Sequence, residues 1–303
     1  MSLRFTFTLS SLVAVAACGG GGSDPAPDAS VDIGFTHPTA RLKANHEVSD
    51  NVWEELGDAD LSCLGTANGD VATTLAVALT TRVDDFQSGN PVKDTVVTAF
   101  PNQNASAVFD TQTADANAML TITIPAGTKR FGYKMTNANA LDTFLFNQTV
   151  DPAMATQTLD HIQSVSTATA QTLPALIGVS RTPGTGVLAG ALRDCQNHEI
   201  SNFIATVSST SGTATHIPGA STYYFKATVG LPVRHSQQAA SSNDGLFMAI
   251  ELPPQQVAYV QMWGYKTDAD MAADQLTLIA ELAVPVITDT VVTGSFEPLR
   301  TGN

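Results

Sequence analysis

Positive charge is scarce in this chain. Its 303 residues carry 14 Lys and Arg against 28 Asp and Glu, a net charge of −14. Such a chain repels a phosphate backbone, so nucleic acid is excluded as a partner on composition. It also repels anionic lipid heads, so a basic patch cannot hold it on a membrane. Charge of either sign is sparse at 14%, while hydrophobic residues make up 43%. That balance belongs to a globular chain and not to a disordered one. Cysteine is scarce as well: Cys18, Cys63 and Cys195. None has a second Cys or a His at ligand spacing, so no metal and no cofactor are expected. A long hydrophobic run is missing too. The apolar stretch Phe5 to Ala17 is too short to span a bilayer.

That stretch is informative for another reason. It follows Arg4 and ends in Val15-Ala16-Ala17-Cys18, with Gly19 to Gly22 directly behind. This has the form of a signal-peptide core closed by a bacterial lipobox. Cleavage before Cys18 would leave an N-terminal cysteine carrying acyl chains on its sulfur and its amino group. One chain binds a membrane marginally, and two or more anchor stably. An ordinary secretory cut at Ala14-Val15-Ala16 or Ala17 is the alternative, and both readings export the chain. Gly19 after the cysteine resembles the outer-membrane-sorted class of lipoproteins. The expected address is therefore the cell envelope, on the periplasmic or the surface side, with the membrane reached through the lipid. In that oxidising setting Cys63 and Cys195 can pair or remain two buried thiols. A bridge closing so long a loop would contribute about 5 kcal/mol by chain entropy.

The rest of the chain divides by pattern. After a leader over 1–17, residues 18–32 are rich in Gly, Pro, Asp and Ala and read as a tether. The stretch 33–150 is expected to be a first β-sandwich with an N-terminal extension, in which Asn51 to Leu56 suggests a helical turn and Trp53 packs on that first domain. Strands are expected near Thr74–Thr80, Val92–Phe100, Met119–Ile124, Arg130–Thr136 and Thr143–Val150, on alternation and β-branched content. Over 151–185, Leu159, Ile162, Val165, Leu173 and Leu176 recur at helical spacing, which predicts a connector of two short helices split at Pro174. From 186 to 303 the β pattern returns as a second sandwich, with extra sequence between Ser208 and Ser242.

The two β regions repeat. Arg82-Val83-Asp84-Asp85 aligns with Leu192-Arg193-Asp194-Cys195, and Ala116 to Pro125 aligns without a gap with Asp244 to Pro253. The landmarks are Asp84, Pro91-Val92, Asp115-Ala116-Asn117 and Pro125 in the first copy. In the second they are Asp194, Ile200, Asn243-Asp244-Gly245-Leu246-Phe247 and Pro253. These resemble the carboxypeptidase regulatory-like, or transthyretin-like, domain, a seven-stranded Greek-key sandwich. The resemblance implies a scaffold without catalytic residues of its own. Ala118 stands where that pattern has Gly, so Asn117 is expected to take the left-handed conformation.

Candidate chemistry is thin. His46-Glu47 and His198-Glu199 lack the spacing that puts two zinc ligands on one helical face. Asp268, Asp270 and Asp274 lack the Gly and Glu of a calcium loop and read as an acidic surface loop. The one candidate ligand platform is aromatic: Trp263, Tyr265, Tyr223 and Tyr224 could stack on sugar rings if exposed, or face the core of alternating strands. The expected fold is thus mainly β: two tandem transthyretin-like, Ig-like Greek-key sandwiches joined by a short helical connector. The expected role is a non-enzymatic structural or interaction module of the envelope, meeting an envelope protein. The alternative is a glycan-binding or adhesive surface protein.

Overall fold

The computed structural model describes residues 36–49 and 51–302. Cys18, the leader and the tether lie outside the described residues. In chain order the elements are a hairpin of β1 (Lys43–Ser49) and β2 (Val52–Asp58), then β3 (Val77–Asp85), β4 (Val96–Pro101), β5 (Asp110–Thr113), β6 (Met119–Ile124), β7 (Phe131–Thr136), β8 (Ala140–Gln148) and β9 (Thr156–Ser166). Helix α1 (Thr167–Leu176) leads to β10 (Gly186–Leu192), β11 (Glu199–Ser201), β12 (Ile204–Ser208), β13 (Ser221–Lys226), β14 (Leu231–Val233), β15 (Leu246–Leu252) and β16 (Gln255–Gly264). The short helix α2 (Asp268–Ala272), β17 (Thr277–Val286) and β18 (Thr290–Phe296) complete the chain.

The chain is mostly β and forms two sandwiches of one topology. In the first, β3 lies between antiparallel β6 and parallel β9, and faces a sheet containing β4, β7 and β8. In the second, β10 lies between antiparallel β15 and parallel β18, and faces β12, β16 and β17. Strict alternation drives this. On β3, Val77, Leu79 and Val83 point inward against Ile122, Ile124 and Leu120 of β6. Each such side chain contributes about 1.5–3 kcal/mol when fully buried. The extra sequence in the second copy supplies β13 and β14, which extend its sheet beyond β15.

Two details of the repeat differ from the sequence alignment. Ala118 itself is left-handed at φ 61, matching Gly245 at φ 62, so Asn117 is not the special position. The amide of Val83 bonds the Ala118 carbonyl as that of Leu192 bonds Gly245. The ungapped alignment is therefore one residue off at this turn and correct at Pro125 and Pro253. A β-bulge makes up the difference. Glu251 sits at φ 60, and pairing shifts between Gly186↔Leu252 and Leu188↔Ala249. Phe247 and Ala249 face the inner core, Met248 and Ile250 the outer layer, and past the bulge Leu252 faces inward again. Likewise Asp85, not Asp84, is the counterpart of Asp194. Each receives backbone amides of its own turn, from Gln87 and Ser88 or from Gln196 and His198. Asp84 instead holds Arg82 through two hydrogen bonds.

The segment read as helical is half strand. β9 runs parallel to β3, and only Thr167–Leu176 is helix, with Pro174 inside it. The three-residue spacing has a β explanation. Pairing moves from Thr80↔Thr158 to Arg82↔His161, so β9 bulges at 159–160. Leu159 and Ile162 then both reach the first core, while Val165 turns to the opposite side beside Val291.

The N-terminal segment also departs from expectation. Where a helical turn was expected at Asn51 to Leu56, Val52–Asp58 is strand, in a hairpin whose β1 pairs with β11 of the second sandwich. Leu42 lies in the second core. Farther on, the Gly65 amide bonds Leu299, that of Asn68 bonds Thr301, and that of Thr301 bonds Thr66. The second domain is therefore discontinuous, built from both ends of the described chain, with the first sandwich inserted between them. The domains share a seam. β18 pairs parallel with β8 from Thr290↔Asp142 to Gly294↔Phe146. One hydrogen-bonded path thus runs β14-β13-β15-β10-β18-β8-β7-β4-β5. Gly190 permits the packing behind it, since a Cβ there would sit 2.5 Å from the Gly294 carbonyl oxygen and from the Phe296 ring.

Candidate functional site

The four aromatics do not form a platform. Tyr223 and Tyr224 are neighbours on β13 and point to opposite faces, so one enters the outer hydrophobic layer and the other the inner core. Tyr224 donates no exposed hydroxyl, because its oxygen accepts the Ala205 amide at 2.9 Å. Burial raises its pKa above the ordinary phenol value. The ring of Tyr265 is covered. Its hydroxyl emerges at the rim, 2.5 Å from Asp274 Oδ1 and 3.3 Å from His37 Nδ1. Burial first, and then the Asp274 carboxylate, push this phenol up to about 12. Trp263 alone is half-buried, and its Nε1 donates to Thr206 Oγ1 at 3.1 Å. Alternation along the strands disperses the four, as the core-facing alternative expects.

The acidic loop disperses in the same way. Asp270 caps α2 in a capping box with Thr267, Asp268 pairs with Arg41, and Asp274 with His37. Among the described residues no group of three His, Cys, Asp or Glu side chains could hold a metal ion.

A cleft of about 850 Å³ lies where the two domains and the C-terminal segment meet. Its walls include Asn102 and Lys129 from the first domain, and Glu281 and Arg300 from the second. Arg130 forms its base, at the start of β7. The guanidinium has five N–H donors, and all five are engaged. Nε and Nη2 grip Asp70, the latter at 3.1 Å. Nη1 and Nη2 reach Glu297 at 3.3 and 3.1 Å, and Nη1 also donates to Asn147 Oδ1 at 2.7 Å. Burial opposes the charge on Arg130, but Asp70 and Glu297 outweigh it and raise its pKa. In turn the Arg130 hydrogen bonds hold Asp70 below the usual carboxylate value. This arginine ties the entry to the first domain, β8 and the C-terminal segment into one knot. It has no donor left for a ligand. In the sequence it stands only at the start of an expected strand, Arg130–Thr136, with nothing to mark its partners.

Cys63 and Cys195 form a disulfide. It joins the N-terminal segment to the turn between β10 and β11. Around it the Asp60 amide donates to Asp194 Oδ2 and the Cys195 amide to the Asp60 carbonyl. A second unannounced group is Asp244. It is 3% exposed, with Oδ1 accepting the Leu246 amide and Oδ2 without a hydrogen-bond partner. Burial pushes its pKa up to about 8.

No protein-family model and no curated protein matches the chain. Among solved structures it is similar to the shaft pilin SpaA of Lactobacillus rhamnosus GG, at 13% identity and a TM-score of 0.21, over 75% of this chain and 98% of that one. It is similar to the Bacillus anthracis TIE protein at 10% identity and a TM-score of 0.24, over 74% and 34%. It is also similar to 3-chlorocatechol 1,2-dioxygenase of Rhodococcus opacus 1CP at 12% identity and a TM-score of 0.20, over 42% and 71%. Likenesses this distant carry no functional argument. The β-sandwich assignment rests on the strand pairing itself.

Proposed function

We propose that this chain is an exported lipoprotein, anchored through Cys18, that serves the cell envelope as a non-enzymatic structural and interaction module built on transthyretin-like sandwiches. The motif Val15-Ala16-Ala17-Cys18 supports the anchor. The observation that carries the structural role is the engagement of Arg130. Arg130, a cation lining the cleft, spends every donor on Asp70, Glu297 and Asn147, holding domains together. Of the four aromatics that would serve glycan binding, Trp263 alone is half-buried, and its Nε1 is occupied.

Intact mass of the membrane-extracted protein, beside a Cys18→Ala variant, tests the anchor. The proposal expects a chain beginning at Cys18 with added acyl mass, and a variant that is released or left unprocessed. An unmodified chain cut elsewhere would sink it.

A further inference from the structure

Both ends of the described chain lie on the second domain, and this fixes where tension can travel. On the N-terminal side the chain is held by Leu42 in the second core, by β1 on β11 and by hydrogen bonds from Gly65 and Asn68 to the C-terminal segment. On the other side Thr301 bonds back to Thr66, and β18 lies between β10 and β8. The disulfide crosses between these regions. It closes a loop 132 residues around, and that loop contains the whole first sandwich, β3 to β9.

We propose that the Cys63–Cys195 clasp makes the first sandwich a load-shielded module: tension between the chain's ends passes through the second domain and the disulfide, and never through the first domain's backbone. The chain pulled from its N-terminal side peels through the hairpin and stops at Cys63. From there the covalent bond hands the load to Cys195. Pulling the other end strips β18 from β8 and opens the seam. The first sandwich keeps its own core, because Val77, Leu79, Val97, Leu120, Ile122 and Met135 all come from residues inside the loop. It remains folded on a closed loop while the second domain yields. With the bridge reduced, the load instead reaches Val71 and enters the first sandwich along β3. The inference rests on the anchoring proposal only for the source of the tension; the load path depends on the strand pairing and the bridge.

Single-molecule stretching between chemical handles at the two ends of the exported chain tests this without any lipid. The wild-type chain should extend in oxidising buffer to a length that omits the loop. Reductant should release a further 450 Å or so, from the 132-residue separation at about 3.3–3.6 Å per residue. That release should come as an added unfolding event after the second domain has opened. A Cys63→Ser, Cys195→Ser double variant should show the longer extension in either buffer. If that variant fails to fold, adding reductant to folded wild-type chains held at low load gives the same comparison. Equal extension of the wild type with and without reductant would overturn the proposal. So would a first-domain unfolding event before the second domain opens in reduced molecules. Failure of the anchor would appear in the acyl mass and leave these lengths unchanged.

Discussion

Asp244 and Arg130 show how differently a charge fares when buried without and with partners. Asp244 keeps its proton up to about pH 8 in the fold, against an ordinary value of 3.8. Between those values the folded protein holds a proton that the unfolded chain releases. Stability contributed by this group is therefore full below pH 3.8 and falls as pH rises towards 8. Asp244→Asn keeps an acceptor for the Leu246 amide and is expected to flatten that slope, with a gain of a few kcal/mol at pH 8 in urea unfolding. His216 works the other way. Burial first, and then His235, depress it to about 4 from 6.5. Its contribution is lost as pH falls from 6.5 towards 4, by about 3 kcal/mol at most. At Arg130 the charge is matched, so removing it leaves Asp70 and Glu297 facing each other in a part-buried knot. Arg130→Ala should cost about 3–5 kcal/mol, read by the same unfolding measurement. Neither residue was legible in the sequence, because burial and five-fold donor saturation come from segments far apart in the chain. The left-handed position was nearly legible. Its register was missed by one because the bulge at Glu251 lies downstream and hides in an ungapped alignment.

Strands were legible where the apolar alternation is strict. Met119–Ile124 is expected from its residues and found with those limits. β9 was not, because a bulge converts period two into an apparent spacing of three, which a helix also produces. The hairpin of β1 and β2 was missed for another reason. Val52 and Leu56 are exposed, so the segment shows no buried face to read. The repeat aspartates join elements in a way the alignment half captured. Asp85 uses Oδ1 on its own turn, and Oδ2 accepts the Ser166 amide at the start of α1. Burial alone would raise its pKa, but hydrogen bonds from Ser88 and Ser166 prevail and hold it below the usual carboxylate value. Its contribution is present above pH 3.8 and lost as pH falls through the lower folded value. Asp85→Ala should cost about 2 kcal/mol, since hydrogen bonds to a charged group contribute about 1.5–3 each and several are lost with partial compensation by water. Hydrogen exchange should show α1 opening more readily in that variant.

At the scale of the whole molecule, two sandwiches of one topology were expected and are found. The order in which the chain builds them was not. The sequence places residues before the first β run with the first domain by adjacency alone, whereas β1, Leu42 and the disulfide place them on the second. Reduction of the bridge should lower stability by up to about 5 kcal/mol, the chain-entropy value for so long a loop, read as a lower midpoint in urea with dithiothreitol present. Between the domains the parallel pairing of β18 with β8 is only five residue pairs long. The Arg130 knot therefore carries much of the seam's specificity, and its removal should loosen the domains before either core opens.

The second domain is discontinuous and encloses the first in a covalent loop. Native-state hydrogen exchange across a urea series tests this arrangement. Amides of β1 should share the opening free energy of β16, with which they form one cooperative unit. They should differ from amides of β3 and β6. If the β1 amides instead opened together with β3, or exchanged freely while β16 remained protected, the N-terminal segment would not belong to the second domain and the account would be contradicted.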